Sequence, residues 1–363
     1  MKFIINREDL IKPLTTVCGI VSRSAHQPIL HNVLLASQGS ILDLSTADLQ
    51  MEMASSAAAD ITTYGAITVE ALKLLEICRK LPSHTKITFS QEGESLHLRA
   101  GISRFKLATL PADQFPSVRE LGQTSILRLT EKAFKDLLSR AAFSMAKKDA
   151  RNYLNGILLE SDNGTLNAVA TDGHRLAICS LAINTPAAKA IIPRKAVLEM
   201  LRLLSDKNDS VTLMVGNRQL AVKFRDIFLS TTLIDGTFPD YTKVIPKACT
   251  SRLVINRERL KQSLMRVDVL SDKQYRGVRL GLAKNVLLVS SANNKQELAE
   301  DKIEADYRGE PFEIGFNNGY LIEALNAIES EEVEFGFNGP ANGCLLTRKE
   351  DLAARYVVMP MRV

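Results

Sequence analysis

Apolar residues recur at helical spacing in six short stretches of this 363-residue chain, and strand-like alternation fills much of what lies between. Three of the stretches open alike. Ile4-Ile5-Asn6-Arg7-Glu8-Asp9-Leu10, Leu127 to Phe134 and Val254-Ile255-Asn256-Arg257-Glu258-Arg259-Leu260 each pass from alternation into a helix start. Asn6, Thr130 and Asn256 stand at the cap position, where a side-chain oxygen can accept from an orphan backbone N–H. Behind Thr130, Phe134, Leu137, Leu138, Ala141, Ala142 and Met145 form an apolar stripe, with Lys132, Lys135, Arg140, Lys147 and Lys148 mostly off it. The third copy turns Leu260, Leu264 and Val267 inward and leaves Arg257, Lys261 and Arg266 outside. In the first, Leu10, Leu14 and Val17 face in, and Pro13 predicts a kink or a break.

A second helix follows in each copy on the same i, i+3, i+4, i+7 pattern: Ala71, Leu74, Leu75, Cys78; then Val197, Met200, Leu201, Leu204; then Leu321, Ala324, Leu325, Ile328. Between the helices the alternation predicts a meander, as in Gly156–Glu160, a turn at Asp162-Asn163-Gly164, then Leu166–Thr171. Strand pairs close each copy around Gly93, Gly216-Asn217 and Asn338-Gly339. Thr109–Pro116 also resembles Thr232–Pro239. The caps lie 124 and 126 residues apart, about a third of the chain. The chain therefore divides into three tandem units, 1–121, 122–250 and 251–363, of ordinary domain size. The segments after Phe115-Pro116 and Tyr241 read as linkers. Two helices on one side of a mostly antiparallel sheet is an α+β layer architecture.

Hydrophobic residues are 45% and charged residues 24%, ordinary for a soluble globular chain. Apolar runs fall short of a membrane span, and the amino terminus reads as structure rather than a signal peptide. Cys18, Cys78, Cys179, Cys249 and Cys344 are scattered and odd in number, which suits buried thiols in a reducing cytoplasm better than disulfides or metal ligands. Residues 1–121 carry 12 basic and 12 acidic side chains, residues 122–250 carry 18 and 12, and residues 251–363 carry 16 and 17. The basic middle third fits either a polyanion partner or a solvated face.

Phosphate-loop, dinucleotide, nucleophile-elbow and zinc-protease motifs are missing. The most catalytic-looking string is Thr171-Asp172-Gly173-His174-Arg175. Asp-Gly after a β-rich run is hairpin-turn chemistry, and that reading outweighs a hydrolase built on Asp172 and His174. At the other end, Val357, Met359 and Met361 alternate to one face, and Pro360 lacks an N–H, which predicts a sheet edge. Flexible methionines there suit a surface that accepts several peptides, or else a core strand with a frayed tail.

Taken together, the three units, Leu110-Pro111-Ala112-Asp113-Gln114-Phe115-Pro116, Asn152–Gly156, Ala170–Leu176, Pro193-Arg194-Lys195, Phe238–Tyr241, Arg276–Leu280 and Tyr356–Arg362 resemble the bacterial sliding-clamp family, the beta subunit of DNA polymerase III, along the whole chain. The resemblance implies three clamp-type domains and a head-to-tail homodimer. That dimer would be a ring with sheets outside and helices facing duplex DNA, held without sequence preference. It implies a non-catalytic processivity factor without cofactor or metal. Its partners would be the polymerase III catalytic subunit (a DNA-directed nucleotidyltransferase), the clamp loader and other proteins carrying a clamp-binding peptide. Carried over residue by residue, the DNA-near positions are Arg23, Lys73, Lys148, Arg151, Tyr153 and Lys195. Asn152 replaces one of an expected aromatic pair, and the helix around Glu323 has no Lys or Arg. The partner-peptide pocket comprises Leu154, Thr171, Gly173, His174, Arg175, Leu176, Pro239, Lys243, Val244, Asn317, Tyr320, Val357, Met359, Pro360, Met361 and Arg362. Lys243 stands where an Arg would give bidentate bonding. Phe105 and Leu107 of one subunit would meet Val269 and Leu270 of the other. The rival reading is a peptide-binding hub that does not encircle DNA.

Overall fold

Among the described residues, six α-helices stand where the periodicity predicts them: α1 Arg7–Val17, α2 Ala71–Lys80, α3 Glu131–Ala142, α4 Arg194–Leu203, α5 Arg257–Val267 and α6 Asn318–Ala327. The computed structural model describes residues 1–22, 27–116, 121–348 and 351–362, apart from the side chains of 351 and 352. Each helix buries its apolar stripe; α2, for example, buries Ala71, Leu74, Leu75 and Cys78. The element string repeats three times: a strand, a helix, a meander, a second helix and three further strands.

The three helix starts differ in chemistry. Thr130 Oγ1 accepts from Ala133 N at 3.2 Å, and Asn256 Oδ1 accepts from Arg259 N at 3.0 Å. Asn6 does not cap in this way. Its amide donates to the Asp9 carboxylate at 2.9 Å. The residue three positions on explains the difference, because Asp9 offers an acceptor and Arg259 does not. Pro13 does not break α1, which runs unbroken through it. An interior proline costs about 3 kcal/mol. Here its ring is buried on the same face as Leu10, Leu14 and Val17, and apolar burial offsets that cost. The carbonyl that loses its partner belongs to Asp9, an exposed position.

The chain sorts into two compact units, Met1–Phe134 with Leu198–Leu233, and Lys135–Val197 with Ile234–Val363. The first holds a 13-stranded antiparallel sheet. Within it, the strand Ile227–Thr232 of the second repeat pairs with Met51–Ala58 of the first. The second unit holds a nine-stranded and a four-stranded sheet, and there the strand Asp351–Val358 of the third repeat pairs with Arg175–Ala182 of the second. Each unit thus contains one junction between successive repeats. The C-terminal strand corrects the edge expectation: Asp351–Val358 is interior, paired on its other side with Cys344–Arg348. Pro360 lies just past its end, where no ladder bond is needed.

Candidate partner and nucleic-acid surfaces

In the second unit the hairpin between Thr165–Thr171 and Arg175–Ala182 is built by its own polar side chains. Asp172 Oδ1 accepts from His174 N and Arg175 N at 2.9 and 3.1 Å. Thr171 Oγ1 donates to Arg175 O at 2.6 Å and accepts from Gly173 N at 3.1 Å. Gly173 sits at φ +91°, a conformation that favours glycine. Both Asp172 oxygens therefore serve the turn and Arg175. The His174 ring does not pair with them and instead stacks on Tyr320, centroids 6.5 Å apart. No Asp–His dyad forms.

Arg175 is the anchor of this corner. Its Nε donates to Asp172 Oδ2 at 3.0 Å, its Nη1 to Glu323 and its Nη2 to Phe143 O at 2.6 Å. Its guanidinium lies over the rings of Tyr320 and Phe143, at 4.3 and 5.2 Å. The side chain is only 8% exposed, so it holds walls together rather than reaching out. Tyr320 is positioned by Asn317, which caps α6 by accepting from Tyr320 N at 3.2 Å. Burial, with Asp172 nearby, raises the Tyr320 pKa. Glu323 and Phe143 complete the cradle and were not among the sequence candidates. A buried guanidinium needs paired acceptors, but only the fold shows which ones.

The apolar floor lies on the sheet beside this turn. Leu176 and Val357 sit opposite each other on adjacent strands and belong to one buried cluster with Leu158, Val169, Ile178, Ile191 and Phe238. Tyr153, Ile234, Tyr241, Ile245 and Leu345 pack against it. Leu154 is buried too; its N–H and C=O bond to Arg151 O and Ala146 N at 2.9 and 3.0 Å. Pro239, Lys243 and Val244 are exposed beyond Phe238, with Lys243 3.4 Å from Asp240. The chain end is fixed at two points, Met359 N to His174 O and Met361 N to Gly315 O, both 2.9 Å. Pro360 falls between the two donors, where a missing N–H costs nothing. Met361 and Arg362 line a separate cavity of about 390 Å³ with Tyr275, Arg279 and Leu298.

Two candidate groups share a cleft of about 660 Å³. Lys148 and Arg151 line it together with His174, Asn317 and Tyr320, and Lys147 and Arg276, which were not among the DNA-near candidates, add charge. Arg151 is already bidentate to Asp149, at 3.1 and 3.0 Å. That hydrogen bonding holds the Asp149 carboxyl down at about 2. Tyr153, a DNA-near candidate, rests on the apolar floor and lies against Gly236. Lys195 is exposed at the start of α4. Arg23 lies outside the described residues.

In the first unit, Lys73 pairs with Glu70 at 2.5 Å and lines a cavity of about 290 Å³ with His31, Val69 and Leu107. Leu107 is buried and Phe105 half-buried on the strand Ser103–Leu110. In the second unit Val269 is 80% exposed and Leu270 half-buried, in the turn Asp268–Leu270 after α5. Arg257 and Arg266, expected on the free face of α5, are engaged. Arg257 donates to Leu325 O and Ile328 O at the end of α6, and Arg266 to Asp301. Among the described residues, no cluster of His, Cys, Asp and Glu is placed to hold a metal ion, and no helix is long and apolar enough to cross a membrane.

Comparison with known proteins is consistent along the whole chain. The family descriptions of the DNA polymerase III beta subunit match in three parts: the N-terminal domain over residues 1–119, the central domain over 128–240 and the C-terminal domain over 242–362. The beta sliding clamp of Pseudomonas aeruginosa is 39% identical and that of Escherichia coli K12 38%, each over the full length of both chains. Among solved structures, the DNA polymerase III subunit beta of Pseudomonas aeruginosa superimposes with a TM-score of 0.97 and the DNA polymerase sliding clamp of Caulobacter crescentus with 0.95. Both comparisons cover 100% of each chain, at 39% and 35% identity.

Proposed function

The chain belongs to the DNA polymerase III beta subunit family, and from that premise we propose that it is a sliding clamp, a head-to-tail homodimer that closes around duplex DNA. This family supplies processivity and leaves catalysis to a separate subunit. The observation that carries the reading is the unbroken match over all three repeats. The three domains are taken as 1–121, 122–250 and 251–363, and the compartment as the cytoplasm.

Sheet edges support closure. Among the described residues, only Thr109 and Leu110 of the strand Ser103–Leu110 have a strand partner on the side away from Ser95–Ala100, which leaves the rest an open edge carrying Arg104 and Lys106. The strand Leu298–Glu304 is the outermost of its four-stranded sheet and carries Glu300, Asp301 and Glu304 against one Lys302, with Asp301 already paired to Arg266. Open edges of opposite charge suit pairing between two copies. Phe105 and Leu107 would then meet Val269 and Leu270 of the second copy. Such a heterologous contact forms a ring when its rotation closes.

A sliding ring must hold phosphate without reading bases. Arg23, Lys73, Lys148, Arg151, Tyr153 and Lys195 would supply contacts of that kind, sequence-independent and weakened by salt. The polymerase catalytic subunit, the clamp loader and other clamp-binding proteins would dock an extended peptide, with a glutamine and apolar anchors, on the Leu176–Val357 floor. Its walls would be Leu154, Thr171, Gly173, His174, Arg175, Pro239, Lys243, Val244, Asn317 and Tyr320 with the tail Met359 to Arg362. The buried apolar floor, with Arg175, Asn317 and Tyr320 held beside it, supports this reading. Light scattering tests the dimer: the mass should be twice the 40.0 kDa of one chain, and a 40.0 kDa particle at working concentration would refute it. Deleting residues 359–363 should abolish peptide binding and leave the chain dimeric. Undiminished peptide affinity would move the site elsewhere.

A further inference from the structure

The two repeat junctions are built to one plan, and one of them has lost its apolar floor. At the junction in the first unit, Asp48 Oδ1 accepts from Gln50 N and Met51 N at 2.7 and 2.6 Å, as Asp172 does from His174 N and Arg175 N. Thr232 N donates to Gln50 O at 2.8 Å, as Met359 N donates to His174 O at 2.9 Å. The strand registers coincide as well. Glu52 pairs with Ala47 and Ser230 where Leu176 pairs with Thr171 and Val357. Leu34 pairs with Ser45 and Thr68 where Leu158 pairs with Val169 and Ile191.

This register maps six floor positions onto the first unit, and the likeness of Thr109–Pro116 to Thr232–Pro239 maps the seventh, Phe238. Leu158, Val169, Leu176 and Ile178 become Leu34, Ser45, Glu52 and Ala54. Ile191, Phe238 and Val357 become Thr68, Phe115 and Ser230. Both phenylalanines are buried, so the covering segment is in place in both units. What differs is the floor: a carboxylate and hydroxyls stand where the second unit has leucine, isoleucine and valine.

We infer that Glu52, with Ser45, Ala54 and Ser230, fixes the peptide valency of the chain at one, by closing the first junction to the apolar anchors that the second accepts. The inference rests on the peptide-pocket reading above. An apolar anchor laid on this face would further bury a carboxylate that has no hydrogen-bond or ion-pair partner among the described residues. Burying an unpaired carboxylate costs more than one anchor gains. Burial already raises the Glu52 pKa to about 7, which agrees with a desolvated, unpaired group.

The test is calorimetric stoichiometry with a synthetic peptide carrying a glutamine and apolar anchors. The native chain should bind one peptide per chain, and the variant S45V/E52L/A54I/S230V should bind two. Adding the deletion of residues 359–363 to that variant should return it to one, now at the first junction. A quadruple variant that keeps the native circular dichroism spectrum and the dimer mass, and still binds a single peptide, overturns the inference. A native chain that binds two also overturns it. A native chain that binds none would instead remove the pocket reading on which the inference rests.

Discussion

At the scale of single residues, Arg175 shows how a buried charge organises a surface. Its guanidinium satisfies Asp172, Glu323 and the Phe143 carbonyl while two rings cover its faces. Arg175→Ala leaves two carboxylates without their cation. Asp172 is mostly covered and Glu323 is half exposed, so the loss should be about 2–3 kcal/mol, below the range for a fully buried pair. Urea denaturation measures it, and a loss under about 0.5 kcal/mol would contradict the anchoring role. Glu52 yields a pH prediction. Its folded pKa of about 7 lies above the usual value of 4.5, so between those values the folded state binds more protons than the unfolded one. Stability from this group therefore falls as pH rises from 4.5 to 7 and stays low above that. Asp43, on the same sheet face of the neighbouring strand, is also raised by burial and adds in the same direction at lower pH. Melting temperatures of Glu52→Gln and the native chain at pH 6 and pH 8 should separate more at pH 8. An equal separation at both would contradict the assignment.

At the scale of elements, the apolar stripes and turns were legible in the sequence, because helix and strand periods are local. Leu74, Leu75 and Cys78 bury as their spacing requires, and Asn163-Gly164 makes the left-handed turn its residues favour. Identical letters at two helix starts concealed a difference, since Asn6 and Asn256 cap differently according to what stands three positions on. Asn256→Ala should cost about 1 kcal/mol and Asn6→Ala a few tenths, read by chemical denaturation. Equal costs would contradict the hydrogen bonding described. The C-terminal strand was misread as an edge because its neighbour Arg175–Ala182 lies far away in sequence, and no local pattern encodes that pairing. The candidate pocket was legible through family motifs rather than chemistry. Glu323 and Phe143 escaped because a cradle assembled from distant segments has no spacing signature.

At the scale of the whole molecule, the repeats share a frame and differ in what they present. The middle third carries 18 basic against 12 acidic side chains, while the outer thirds are close to balance. Phosphate contacts should therefore concentrate there, although Arg151 must share its guanidinium with Asp149. Lys148→Ala should weaken duplex binding regardless of sequence and lower the slope of log affinity against log salt by about one unit. An unchanged slope would take Lys148 off the DNA surface. The central claim is topological: a closed ring stays on DNA because it has no end to leave by. Retention after loading on closed circular plasmid, compared with the same plasmid linearised, tests this most directly. The clamp should stay on the circle through a high-salt wash and run off the linear form. Equal loss from both would contradict encirclement.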